Sequence, residues 1–398
     1  MTTSLDGSSP RRLLAALLAA LLLTSCGGGG EQPANAQAAT AQGGEAVASK
    51  VAAGGREQAL ATDAAPKAQA LSVGGDRIRQ VIVFGDSLSD VGTYKVGPIA
   101  EVGGGKFTTN PGPVWAETIG LLFGAPVTPF RQGFGGVSQI VGGTGFAMGG
   151  ARVSQQPGLG CDPDPQTGAC TAALTIPVTQ QISDYLGANG DRFTRNQLVF
   201  VFAGGNELFF QFDEFAAKLQ RGVPFAQAQA ELQAAVAQAA GELAGQVRLI
   251  IHKGATRVAV LTVPDIADTI FGRAAAQAPV RPLIAAMVQL FNGTLAAGLA
   301  GSDAKLIDTY AQFKRVIENP GRFHVTELNV AACDAAKIAA ITGGQVRSGS
   351  SLFCSLRTLV QNDAPLRYFF ADDVHPTTLG HLIIARFVLT EMWRQRLL

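Results

Sequence analysis

Hydrophobic and polar positions divide this chain into three stretches of different rhythm. Residues 1–26 hold one apolar run, 13–23, behind the basic pair Arg11 and Arg12. From residue 27 to about 80 there is no hydrophobic period and no aromatic residue. After Arg77, short continuous apolar runs appear at 81–84, 198–202 and 258–263, with a weaker fourth at 305–310. Runs of that length suit strands buried on both faces. Between them, 224–253, rich in Ala, Gln and Leu, and 282–299 predict helices. Strands alternating with helices imply right-handed crossovers and a parallel sheet covered on both faces. The fold class expected for 80–398 is therefore α/β, a three-layer α/β/α sandwich with a central parallel sheet. In such sheets ligands sit beyond the carboxyl ends of the strands, so the polar residues that follow each apolar run are the candidates for chemistry.

Composition narrows the role. The 398 residues include 31 Lys+Arg against 30 Asp+Glu, a formal net charge of +1, and only 15% are charged. That balance leaves no surplus for neutralising phosphates, so nucleic acid is not an expected partner. With 47% hydrophobic residues the chain is too apolar to be disordered throughout.

The N-terminal run is about half a membrane span and suits a secretory signal, residues 1–25. Leu23-Thr24-Ser25-Cys26 resembles a bacterial lipobox, which makes Cys26 the expected site of lipidation and of membrane attachment. An ordinary cleaved signal with an incidental Cys is the plainer alternative. Gly27 follows the Cys rather than the Asp of inner-membrane retention, which points to an outer-membrane lipoprotein, otherwise a secreted protein. Residues 26–79, mostly Gly, Ala and Gln, read as a flexible tether, because they cannot bury enough surface to offset their ordering entropy; an Ala-rich helix within 45–70 is the alternative. Export also suits disulfides. Of the four other Cys, proximity favours Cys161 with Cys170 and Cys333 with Cys354. Zinc is the competing use, but no CxxC spacing occurs. Asp162 and Asp164 lie between the first pair as candidate calcium ligands, without the distal Glu such loops carry.

Three polar segments are candidates for chemistry, two directly after strands and one near the C-terminus. Gly85-Asp86-Ser87-Leu88-Ser89-Asp90 puts Ser87 at the end of the first run, either as a turn or cap residue or as an exposed nucleophile. Residue 89 is Ser, so this is not a Gly-x-Ser-x-Gly elbow, and Phe107 after Val102-Gly103-Gly104-Gly105-Lys106 excludes a P-loop. Gly204-Gly205-Asn206-Glu207 places Asn206 as a turn residue or as an amide aimed at an oxyanion. Of four His, only His375 has carboxylates close on its N-terminal side, and Asp372, three residues back, can reach its ring. As a metal set, Asp372, Asp373 and His375 lack a further His or Glu. His381 is expected to begin the terminal helix.

Together these segments resemble a GDSL-type esterase/lipase of the SGNH hydrolase superfamily. The ordered blocks are GDSLSD at 85–90, GKFTTNPGPVW at 105–115, GFAMGGA at 145–151, GGNE at 204–207, NPGRF at 319–323 and DDVHPT at 372–377. The resemblance implies a flavodoxin-like sheet and a serine esterase with no cofactor or metal, acting on a lipid or other acyl ester. It implies Ser87 as nucleophile, His375 as base and Asp372 as its orienting carboxylate, with an oxyanion hole from Ser87, Gly150 and Asn206. Two departures stand out: Glu207 where the family often has Asp, and Gly145 where its second block usually has Asn, which leaves Gly149 or Gly150 as donor, Gly150 preferred. An alternative within the same chemistry is a lipid acyltransferase or phospholipase at the outer membrane; a non-catalytic surface-binding lipoprotein is the alternative outside it. Phe107, Phe130, Phe134, Phe209 and Phe210 are either core or the lining of an acyl pocket.

Overall fold

The computed structural model describes residues 77–398 apart from 168, 275 and 276. The expected signal, Cys26 and tether lie outside the described residues. The strands are β1 (Gln80–Gly85), β2 (Arg131–Phe134), β3 (Val137–Ile140), β4 (Gln197–Phe202), β5 (Val258–Leu261) and β6 (Lys305–Ile307). Four form a parallel sheet in the order β1-β4-β5-β6, with Val83 opposite Phe200 and Val260 opposite Leu306; β2 and β3 form a separate hairpin. A fifth, irregular segment lines the free edge of β1. There Val83 N–H donates to Thr144 O, Phe146 N–H to Val83 O and Met148 N–H to Gly85 O. With that edge the spatial order is flavodoxin-like.

The main helices are α1 (Trp115–Leu122), α2 (Val178–Ala188), α3 (Gly205–Gln220), α4 (Phe225–His252), α5 (Arg281–Leu299), α6 (Thr309–Glu318), α7 (Ala335–Ile341) and α8 (Thr378–Arg394). Strand side chains alternate between two cores. Ile82, Phe84, Val199, Val201 and Val260 pack on α2, α3, α4 and α5, while Val83, Leu198, Phe200 and Leu261 pack on α1, α6 and α8. All six positions of β4 are buried. Each Val, Leu or Phe removed from water there contributes about 1.5–3 kcal/mol, which is why the apolar run is continuous rather than alternating.

The expected strands at 258–263 and 305–310 end early, and both ends have a local cause. After Leu261 the chain turns so that Val263 N–H reaches Asn292 Oδ1; after Ile307, Asp308 caps α6 by accepting Ala311 N–H. The helices expected at 224–253 and 282–299 form as α4 and α5. His381 lies in the first turn of α8, as expected, and is fully buried.

Both expected disulfides are present, Cys161–Cys170 and Cys333–Cys354. Asp164 Oδ1 accepts hydrogen bonds from Gln166 and Thr167 in its own loop, and no metal-binding group of three His, Cys, Asp or Glu occurs among the described residues.

Candidate active site

Ser87 opens a single 3₁₀ turn at the carboxyl end of β1, and Asp86 caps that turn by accepting Leu88 N–H. Gly85 is required there by close approach: a Cβ would lie 2.0 Å from Phe202 O of the neighbouring strand. Gln181 of α2 holds both backbone groups of Gly85, accepting its N–H and donating to its carbonyl at 2.9 Å each. The turn that presents Ser87 is thus pinned from the sheet and from the helix layer.

Phe370 and Pro376 pair across the turn that carries Asp372 and His375, and Ala371 N–H donates to His375 O. That turn brings His375 Nε2 to 2.8 Å from Ser87 Oγ, across 288 residues of chain. His375 Nδ1 lies 2.8 Å from Asp372 Oδ2. Asp373, the other nearby carboxylate, makes no such contact and receives Phe271 N–H on its carbonyl. Asp372 also accepts N–H bonds from Val374, His375 and Ser351. Burial alone would raise its carboxyl, but the charge and hydrogen bond of His375 and the N–H donors outweigh it and hold Asp372 well below the usual carboxylate range. A carboxylate held ionised fixes the imidazole with Nδ1–H toward it, which leaves Nε2 free to take the Ser87 proton. Phe107 covers His375, with ring centroids 5.0 Å apart.

The remaining expected residues sit on two segments joined to each other. Gly150 has φ +76°, and a Cβ there would meet Leu159 O at 2.0 Å. Asn206, in the first turn of α3, donates from Nδ2 to Ala151 O at 3.0 Å. Of the two glycines named as possible donors, Gly149 gives its N–H to Asp90 Oδ2 at 2.9 Å. The Gly150 N–H has no acceptor among the described residues.

Several residues around this site have no role assigned from the sequence. Asp90 also accepts Gly92 and Thr93 N–H, and burial raises its carboxyl to about 6. Asp86, beside Ser87, is raised to about 7, again by burial. Ser351, far along the chain, donates to Asp372, and Arg152 pairs with Glu207. Of these, Asp86, Asp90, Arg152 and Glu207 stand inside or next to recognisable blocks; Ser351 had only its nearness to Cys354.

The five Phe candidates separate. Phe107 touches the site, Phe134 packs on Tyr94 beyond it, and Phe209 faces Phe271 with centroids 5.4 Å apart. Phe130 stacks on Phe146 in the core, and Phe210 lies under the Arg152 guanidinium.

A parallel sheet with Ser87 and His375 in contact at its carboxyl edge, between two helical layers, is the architecture of the SGNH class of hydrolases. The chain belongs to the GDSL-like lipase/acylhydrolase family, whose model matches residues 81–388, and it is a hydrolase acting on ester bonds. Comparison with curated proteins gives no match.

Proposed function

We propose that this protein cleaves carboxylic esters by two-step acyl transfer through Ser87, His375 and Asp372. The observation that carries the reading is the unbroken chain from Ser87 Oγ to His375 Nε2 and from His375 Nδ1 to Asp372 Oδ2, 2.8 Å at each step. Ser87 Oγ attacks the ester carbonyl carbon while its proton passes to His375 Nε2. The tetrahedral intermediate collapses, the C–O bond breaks, and the same proton goes to the leaving alcohol. Water then repeats the sequence on the acyl-enzyme and releases the acid. The Ser87 and Gly150 N–H groups and the Asn206 amide stabilise the oxyanion; loss of the Asn206 amide costs roughly 10²–10³ in kcat.

Phe107, Phe209 and Phe271 near the site support an ester with an apolar acyl chain, and a chain-length series of p-nitrophenyl esters measures that preference. The Arg11, Arg12, 13–23 and Cys26 pattern supports export and lipid attachment. Tritiated palmitate then labels the wild type and spares Cys26→Ser. For the central reading, steady-state hydrolysis of a short ester should fall at least about 10³-fold in Ser87→Ala and in His375→Ala. Unchanged turnover in either would overturn it.

A further inference from the structure

We infer that the buried Arg152–Glu207 ion pair is a positioning device for the oxyanion donor Asn206, an inference that rests on the acyl-transfer reading above. The pair is bidentate, with Arg152 Nη2 to Glu207 Oε1 at 2.6 Å and Nε to Oε2 at 3.2 Å. Its side chains are only 3% and 4% exposed. Gln211, one turn further along α3, donates to Glu207 Oε1 at 3.0 Å, and the Arg152 guanidinium carbon lies 3.7 Å above the Phe210 ring.

The position of the pair in the chain carries the argument. Arg152 stands two residues after Gly150, and Glu207 directly follows Asn206. Between them, Ala151 O accepts one N–H of the Asn206 amide at 3.0 Å. Three hydrogen bonds therefore tie the segment carrying Gly150 to the first turn of α3, where Asn206 sits. The Ala151 bond fixes which end of the carboxamide is the nitrogen, and it leaves the second N–H of Asn206 for another acceptor.

Stability alone gives a poor account of such a pair. Withdrawing two charges from water costs several kcal/mol per ion, and apolar replacements of similar volume are often neutral or stabilising. What an apolar pair lacks is direction. A planar, two-pronged contact sets the distance and the angle between the segments, whereas packed hydrocarbon tolerates a slide. Misplacement on that scale at an oxyanion donor is expensive for catalysis and nearly silent for folding.

The test compares the double variant Arg152→Met/Glu207→Leu, Asn206→Ala, and the triple combination, using the full chain and a soluble p-nitrophenyl ester. The double variant is expected to melt near the wild type, to lose about tenfold or more in kcat, and to change KM less than about twofold. In the Asn206→Ala background the same double substitution should cost less than about twofold, because the group it positions is gone. Glu207→Asp, which keeps the charge, should recover most of the kcat lost in Glu207→Gln. Should the double variant not fold, Glu207→Gln in the two backgrounds decides by the same comparison. Wild-type kcat in a folded clamp variant, or a loss that multiplies fully with Asn206→Ala, overturns the inference while leaving the acyl-transfer reading intact. Wild-type kcat in Asn206→Ala overturns the oxyanion role itself, and this inference with it.

Discussion

Ser351 donates its backbone N–H to Asp372 Oδ2 at 2.9 Å from a turn 21 residues upstream. That turn is itself anchored: Ser351 O accepts from Cys354 N–H and from Asn110 Nδ2, while Cys333 N–H donates to Ala371 O, next to Asp372. With the Cys333–Cys354 disulfide the contacts close a ring around the carboxylate that holds His375.

Proline at 351 removes this N–H, sets a ring carbon against Asp372 Oδ2 in its place, and deletes the hydroxyl. The position is the first of its 3₁₀ turn, and Ser350 before it is already extended with ψ 126°, so Pro is tolerated there. A hydrogen bond to a charged acceptor contributes about 1.5–3 kcal/mol, so kcat of Ser351→Pro should fall about tenfold or more with KM little changed. Ser351→Ala, which keeps the N–H and deletes a buried hydroxyl with no partner among the described residues, should match the wild type. Equal kcat in all three proteins would show that Asp372 does not depend on Ser351.

Glycines separate along the same line between function and fold. Gly150→Ala places a Cβ against Leu159 O at a positive φ and should cost about 1–3 kcal/mol in stability together with at least about 100-fold in kcat. Gly241→Ala, in the exposed interior of α4 with open space around it, should instead stabilise by about 0.5–1 kcal/mol and leave turnover unchanged. Chemical denaturation and ester kinetics on the two variants check both signs.

His381 links the core to pH. Its ring accepts Trp115 N–H on Nδ1 and faces Phe107 O with Nε2, a pattern that suits the neutral imidazole. Burial, the largest effect, pushes its value down to about 3. Between there and the ordinary value near 6.5, the unfolded chain binds a proton that the folded chain does not. Stability is therefore lost as pH falls through that window, by up to about 1.4 kcal/mol per pH unit. In His381→Gln this contribution disappears, so the wild type's advantage at pH 7 should shrink steadily toward pH 4. Asp86 and Asp90 act in the opposite direction but are common to both proteins. A pH-independent gap would contradict the assignment.

How much of this was legible in the sequence follows from where the information lies. β1, β4 and α4 are written locally, as continuous apolar runs and a long Ala-rich stretch. Ser87, Asn206, Asp372 and His375 could be picked out because each follows a strand or stands in a short motif. The shorter helices α1 and α2 left no comparable signal, since each is fixed by packing on the sheet rather than by its own period. Phe130 and Phe210 look alike in sequence to Phe209; only tertiary packing sends one into the core and the other beneath Arg152. Ser351 was invisible, because its contribution is a backbone N–H that any residue except Pro would supply. The Arg152–Glu207 pair was half visible, as an unexplained Glu where the family often has Asp.

The most direct test of the acyl-transfer account is to react the protein with a fluorophosphonate and map the adduct by peptide mass spectrometry. The account expects a single modification, on Ser87, that abolishes ester hydrolysis, and no labelling in His375→Ala on the same timescale. An adduct on another residue, or full activity in the modified protein, would contradict it.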